Sequence, residues 1–387
     1  EFVDAYYGPP QWRDEVKLAG MSLAAIQQSV TDVRDQLRGT SVDSADDMHQ
    51  LRRRYLVKQL NAMIARIEML KGKKFSFDEE AQALYDAKPP RHTEDDFKEI
   101  LRSLDRLLPG TGPTTQRYEE FRKAFVIPGE KLDAVFQAAI TECWRRTKKR
   151  IELPSHESFN LEYVKNKSWS GYNWYKGNSH SLIQINTDLP IYIDRAVDLA
   201  AHEGYPGHHV YNTLLEQHLA RERKWVEFTV YALFSPQSLI AEGTANFGIE
   251  VAFPGTERVE FERNVLFPLV GMDSEPAEHY YEIHRLATKL NYAHNEAARR
   301  YLDGDFKREQ AEEFLVAYAL MSRDRAKQRV RFIDTYRSYV INYNLGQDLV
   351  KRYVESRGGT SDHPDKRWEE FKGLLSSPRL PSALFSS

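Results

Sequence analysis

The chain has 387 residues, 41% hydrophobic and 29% charged, with a net charge of −3. That is the balance of an ordinary globular protein, long enough for one large domain or two to three small ones. There is no basic excess of the kind that serves nucleic acid or an anionic membrane, and no apolar run of 18 residues to span a bilayer.

Residues 11–150 read as helices. "MHQLRRRYLVKQLNAMIARIEML" sets Leu51, Tyr55, Leu56, Leu60, Met63, Ile67 and Leu70 on one face at helical spacing. "TEDDFKEILRSLDRLL" opens with a Thr93 cap and an acidic first turn. "PGEKLDAVFQAAITECWRRTKKRIELP" is a further helix between Pro128-Gly129 and Pro154, with a basic C-terminal end that suits the helix dipole. It holds the single cysteine, Cys143, which reads as a small buried hydrophobe and rules out an internal disulfide. A cysteine-poor chain fits a reducing compartment, so a cytoplasmic location is expected; an exported form with its signal peptide removed is the alternative. The opening "EFVDAYYGPPQW" has neither Met nor a signal-peptide pattern.

Near residue 155 the composition shifts to aromatics, Asn, Ser and Gly. "HSLIQINTD" alternates as a strand, and "SGYNWYKGNS" reads as the turn and strand before it, so a small sheet is expected over 155–190. "KGNSHSLIQINTD" either pairs with an extended peptide through main-chain hydrogen bonds or is a plain edge strand. Asp194 opens a helix, "IDRAVDLAAHEGY", and from about 210 to 350 the chain is helical again. His279, His284 and His294 fall in an amphipathic helical region and read as structural. "HPDKRWEEFKGLLSSPRLPSALFSS" reads as a short helix and a loose tail. The expected architecture is mainly α, a multi-helix zincin-like catalytic domain with one small β-sheet beside the active-site cleft. A helical scaffold, 1–154, and a metal-binding part, 155–387, form one continuous unit.

The chemistry concentrates in "AHEGYPGHHV", residues 201–210. In a zinc-hydrolase helix, His-Glu-x-x-His places two imidazoles one turn apart on one ion, with the Glu facing the metal's water. His202 and Glu203 begin that pattern, but Pro206 stands at i+4. In a straight helix His208, six residues on, lies about 9 Å away on another face. Pro206 has no N–H for the carbonyl of His202, and Gly207 permits unusual backbone angles. A bulge there can absorb Pro-Gly and bring a later histidine back. Spacing prefers His208 over His209 and leaves both open.

A third ligand is sought downstream. In "SPQSLIAEGTANFGIEVAF" Ser238 reads as the cap of a helix carrying Glu242, Asn246 and Glu250. Glu242 is the candidate third ligand. Asn246, four residues on and on the same face, can orient an imidazole. Glu250 supports the site from further out or is solvated. Gly243, Ala245 and Gly248 suggest close packing on the metal helix, since glycine otherwise costs helix stability.

"HEGYPGHH" followed by "EGTANFGIE" resembles the bacterial family filed as domain of unknown function 885, whose hallmark is His-Glu-x-x-Pro-Gly-His with a later Glu-Gly-x-Ala segment. The resemblance is clearest over 155–350. It implies a mainly helical, zinc-metallopeptidase-like hydrolase in which His202, His208 and Glu242 bind one zinc per chain and Glu203 is the general base. The family often carries bulky aromatics after Glu-Gly; here Thr244 follows, then Phe247. In "DTYRSYVINYNLGQDLV", Tyr343 to Gly346 makes a family-like Tyr-x-x-Gly. Since such a reaction needs an oxyanion donor, Tyr343 is assigned to the oxyanion and Arg337 to a substrate carboxylate. The substrate expected is a peptide; a small non-peptide amide or ester, and metal binding without catalysis, are the alternatives. Two His and one Glu also accept Mn, Co or Fe.

Overall fold

In the computed structural model, residues 3–40 and 47–384 are described. The fold is mainly α with two small sheets. Strand β1 (Val3–Tyr6) precedes helices α1 (Pro10–Ala19), α2 (Leu23–Gly39), α3 (Asp47–Leu70), α4 (Phe77–Tyr85), α5 (Glu94–Leu107), α6 (Thr114–Lys123) and α7 (Leu132–Lys148). Sequence-local chemistry sets several boundaries. Ser76 with Glu79 and Thr93 with Asp96 close capping boxes at the starts of α4 and α5, each satisfying backbone donors that a helix end leaves free. On α3, Leu51, Tyr55 and Ile67 are buried as their spacing indicates. Met63 and Leu70 are 40% and 46% exposed, so the buried face of that helix is completed by Ala62 and Ala65 instead.

Strands β2 (Ser158–Val164), β3 (Gly171–Gly177) and β4 (His180–Asn186) form a sheet in the order β2-β4-β3. β4 is therefore the central strand, parallel to β2 and antiparallel to β3, and both its edges are taken. This corrects both readings of "KGNSHSLIQINTD", as a strand open to a peptide and as a plain edge strand: β2 and β3 are the edges. Two further strands form a second sheet that the sequence reading did not contain, β1 pairing antiparallel with β5 (Val230–Ala232). Its register slips between Val3 and Ala5, so Asp4 is the bulged residue, and bulges re-aim side chains.

Helices α8 (Asp194–Leu199), α9 (His208–Leu215) and α10 (Pro236–Ala252) carry the motif residues. After them come α11 (Glu257–Phe261), α12 (Phe267–Val270), α13 (Ala277–Thr288), α14 (Tyr292–Leu302), α15 (Arg308–Tyr318), α16 (Arg323–Tyr336), α17 (Ile341–Ser356) and α18 (Pro364–Leu375). α10 starts three residues earlier than Ser238 suggested. Pro236 occupies its first turn, where a missing N–H costs nothing, and the Ser238 hydroxyl donates to the carbonyl of Leu233 instead of capping. The C-terminal segment is not a loose tail: Leu374, Leu375, Leu380 and Leu384 are buried. Residues 385–387, the end of that segment, lie outside the described residues.

The larger of two apolar cores includes Tyr55, Phe77, Phe136 and Cys143 together with Leu239, Phe247, Leu349 and Phe371, so helices from both halves of the chain share it. The Tyr55 hydroxyl donates to Gln237 at 2.7 Å, tying α3 to α10. The smaller core joins α5, α13, α14, α15 and α16 around Phe97, Ile283, Ala297 and Phe314. α10 and α17 meet backbone to backbone: a Cβ on Gly243 would lie 2.4 Å from the carbonyl oxygen of Gly346. That contact is the packing reason for a glycine one residue after Glu242.

Candidate metal centre

α8 does not continue as an α-helix into the motif. Ala200–Gly204 form a π turn, in which the Tyr205 N–H reaches Ala200 O at 3.1 Å, and Tyr205 is extended. The Tyr205–Pro206 peptide is cis. The Gly207 N–H then bonds Ala201 O at 2.9 Å, and a Cβ at Gly207 would sit 1.9 Å from the carbonyl oxygen of His202, a space no other residue could share. α9 restarts at His208. The wide turn and the break together take up the two inserted residues and return His208 to His202.

The two imidazoles meet with Nε2 atoms 3.1 Å apart. Glu242 Oε2 lies 3.1 Å from His202 Nε2 and 3.7 Å from His208 Nε2. His209 turns the other way. Its side chain is fully buried between Ser181, at 2.9 Å from Nδ1, and Glu157, at 2.9 Å from Nε2, where it fixes α9 to the sheet. Of the two histidines left open by spacing, His208 is the one at the cluster.

Do these residues fit a metal? His202 Nδ1 is 2.9 Å from Asn246 Oδ1, and the Asn246 amide is fixed by donating to Tyr343 O at 2.8 Å. The carboxamide oxygen can only accept, so His202 carries its proton on Nδ1 and turns a bare Nε2 to its neighbours. Glu242 Oε1 accepts from the Tyr339 hydroxyl at 2.7 Å, whereas Oε2 is buried without a hydrogen bond. Two electron-rich atoms thus face one another next to His208, an arrangement that wants a positive charge between them. A tetrahedral zinc with bonds near 2.0–2.1 Å holds its donors roughly 3.3 Å apart, and the separations here bracket that value. Without a cation the pocket draws a proton. Burial disfavours a charged His208, but Glu242, Glu203 and Asp4 outweigh it and lift the imidazole to about 9. Burial acts to raise Glu242, yet the charged His208 beside it holds it well below the carboxylate range. The donor set fits one divalent cation.

Glu203 sits on the π turn, 4% exposed, with its backbone carbonyl held by Asn173 Nδ2 at 2.6 Å. Burial raises its pKa above the ordinary carboxylate value. His202, Glu203, His208 and Glu242 all line a cavity of about 1510 Å³, which also takes in Tyr343 and elements of both cores. The Tyr343 ring stacks near His202 at 6.4 Å, and its hydroxyl bonds to no described residue. Glu250, further along α10, is tied to Lys351 at 2.7 Å and Gln347 at 3.0 Å.

Arg337 is not in the cavity wall. Its guanidinium donates to Glu80 at 2.7 Å, and Glu80 also accepts from the backbone and hydroxyl of Ser338. A carboxylate 1% exposed needs such partners, and Arg337 is committed to it. The sequence places Tyr336, Arg337, Tyr339 and Tyr343 in one segment beside the site without a role for Tyr339, and it gives no sign of Asp4. Tyr339 is the one of the "YRSYVINY" tyrosines that braces Glu242. Asp4, on the β1 bulge, lines the cavity and accepts from the Tyr172 hydroxyl. Burial raises its pKa to about 6.

Among the described residues a second group, Asp194, Asp198 and His284, also converges. Arg122 and Tyr280 already bond Asp194, while Arg195 and Arg258 pair with Asp198. Its negative charge is met by arginines, which makes it an ion-pair network and accounts for His284. His279 packs on Phe121, and His294 lines the cavity.

No protein-family profile and no curated protein matches the chain. Among the solved structures similar to the chain are two bacterial ones. One is a candidate lipoprotein from Colwellia psychrerythraea, with 16% identity and a TM-score of 0.58, covering 92% of this chain. The other is a candidate lipoprotein of unknown function from Shewanella oneidensis, with 13% identity and a TM-score of 0.49, also covering 92% of this chain. The chain spans 65% of the first structure and 69% of the second. The Colwellia likeness shows a shared fold. Among the described residues no helix is long and apolar enough to cross a membrane.

Proposed function

We propose that the chain is a zinc-dependent hydrolase, a metallopeptidase cleaving peptide bonds. The observation that carries this is the buried, unbonded Glu242 Oε2 turned toward the Nε2 atoms of His202 and His208, with Glu203 beside them in a large cavity. His202, His208 and Glu242 would hold the ion, which when bound polarises a carbonyl and lowers the pKa of water. Glu203 takes the proton of the attacking water and delivers it to the leaving amine; burial raises its pKa above the ordinary carboxylate value, which makes it a stronger base than a solvated glutamate. Tyr343 offers a free hydroxyl to the developing oxyanion, and Tyr339 holds Glu242 in place. The cavity exceeds the roughly 300–1,000 Å³ of small-molecule sites, which favours a peptide segment over a small amide or ester. An exported location accords with the description of the Colwellia neighbour.

The test is metal content by mass spectrometry for wild type, His208→Ala and Glu203→Gln, with a peptide-library screen. The expected result is about one zinc per chain in wild type and Glu203→Gln and none in His208→Ala. Peptide turnover in Glu203→Gln should fall by roughly 10²–10⁴. Zinc-independent turnover, or zinc retained by His208→Ala, sinks the proposal.

A further inference from the structure

One wall of the cavity is cationic. On α16, Arg325, Arg329, Phe332 and Tyr336 recur at i, i+4, i+7 and i+11, a single helical stripe, and all four line the cavity. Arg195 lines it from α8, seven residues before His202. Two of these arginines are already engaged: Arg195 pairs with Asp198 at 2.9 Å, and Arg325 donates to the carbonyl of Pro190 at 2.7 Å. Arg329 is different. Its guanidinium lies 5.3 Å over the Phe332 ring, and no described carboxylate pairs with it. Burial acts against its protonation, Tyr343 opposes that only in part, the like charge of Arg195 adds to it, and no carboxylate offsets them.

A half-buried guanidinium with five donors and no acceptor is a site waiting for a planar anion. Asp4, Glu203 and Glu242 gather around the metal centre, and of the other acids that line the cavity Asp194 and Asp198 are already paired with arginines. On α16 a substrate carboxylate meets a guanidinium that no described carboxylate compensates. α16 and the metal centre are linked by ring contacts in series, Phe332 to Tyr343 at 6.1 Å and Tyr343 to His202 at 6.4 Å. An extended chain advances about 3.3–3.6 Å per residue, so this leaves only a few residues between the scissile bond and the guanidinium.

Resting on the hydrolase reading, we propose that Arg329, flanked by Arg325 and Arg195, binds the free C-terminal carboxylate of the substrate, making the chain a carboxypeptidase that releases a short C-terminal fragment. The role given to Arg337 by sequence passes to Arg329.

The test measures binding to the zinc-loaded Glu203→Gln protein by calorimetry, using matched short peptides with a free or an amidated C-terminus. Amidation should weaken binding about tenfold to hundredfold, the scale of a charge-assisted hydrogen-bond pair. Adding Arg329→Gln should erase the difference between acid and amide; adding Arg329→Lys, which keeps the charge, should retain part of it and shows that the helix tolerates substitution. Equal affinity for both peptides, no binding of either, or a preference that survives Arg329→Gln overturns the proposal. If the preference depends on Arg329 but wild type hydrolyses nothing with zinc, the carboxylate site stands and the peptidase reading falls.

Discussion

Gly243→Ala tests whether the α10–α17 contact sets the geometry of the metal centre. The new Cβ would lie 2.4 Å from the Gly346 carbonyl oxygen and 2.5 Å from its carbon, about 1 Å inside ordinary contact. Both obstacles are backbone, so the helices must part. Overpacking of this kind costs about 1–3 kcal/mol, and replacing a helical glycine by alanine returns about 1 kcal/mol, for a net loss of roughly 0–2 kcal/mol. With unfolding entropy near 2.1 cal/mol/K per residue, a chain of this length loses only about 0–3 °C in Tm. Metal affinity is the sharper reading. Glu242 adjoins the disturbed position, and metal sites tolerate donor shifts of only about 0.2 Å. Zinc should bind about tenfold to hundredfold more weakly, measured by competition against a chromophoric chelator. A folded variant that keeps wild-type zinc affinity would show that this helix contact does not position the ligand.

Asn246→Ala removes the acceptor of His202 Nδ1–H and should weaken zinc about tenfold to hundredfold with little change in fold; unchanged affinity in the same competition assay would remove Asn246 from the site. His209→Ala should keep zinc but lose about 1–3 kcal/mol of stability, since Glu157 and Ser181 lose a buried partner, and urea unfolding of the metal-loaded protein measures it. Loss of zinc there would reassign the ligand. Glu262, fully buried, has its pKa raised to about 8, because burial outweighs the nearby Arg258. Its folded value exceeds its unfolded one, so its contribution is complete below about 4.5 and is lost as pH rises through about 8. Glu262→Gln should therefore match wild type in Tm near pH 5 and exceed it near pH 9; a variant less stable at both would mean that the ionised pair with Arg258 dominates.

The gathering of His202, His208, Glu242 and Asn246 was legible because its rules are local. Helical spacing pairs Glu242 with Asn246, and a proline-glycine interruption forces a break that a nearby histidine can exploit. Exposure along α3 was less legible, since Met63 and Leu70 fit the apolar stripe but the neighbours that would cover them are set by tertiary packing. What stayed hidden depends on partners distant in the chain. Nothing in "DAYY" announces that it pairs with a strand more than 220 residues on and bulges Asp4 into the cavity. Strand order is likewise absent from the alternation of "HSLIQINTD", which reads the same in a central strand as at an edge.

Arg337 and Arg329 make the point most directly. Both lie on polar helical sequence close to Tyr343, and a sequence offers no way to rank them. The structure ranks them by their counterions. Glu80, 257 residues before Arg337, is buried and claims it, whereas Arg329 has Phe332 beneath it and no described acid within reach. Charge left uncompensated inside a cavity is costly unless a ligand completes it. The unpaired guanidinium, rather than the one nearest the tyrosine motif, is therefore where a carboxylate belongs.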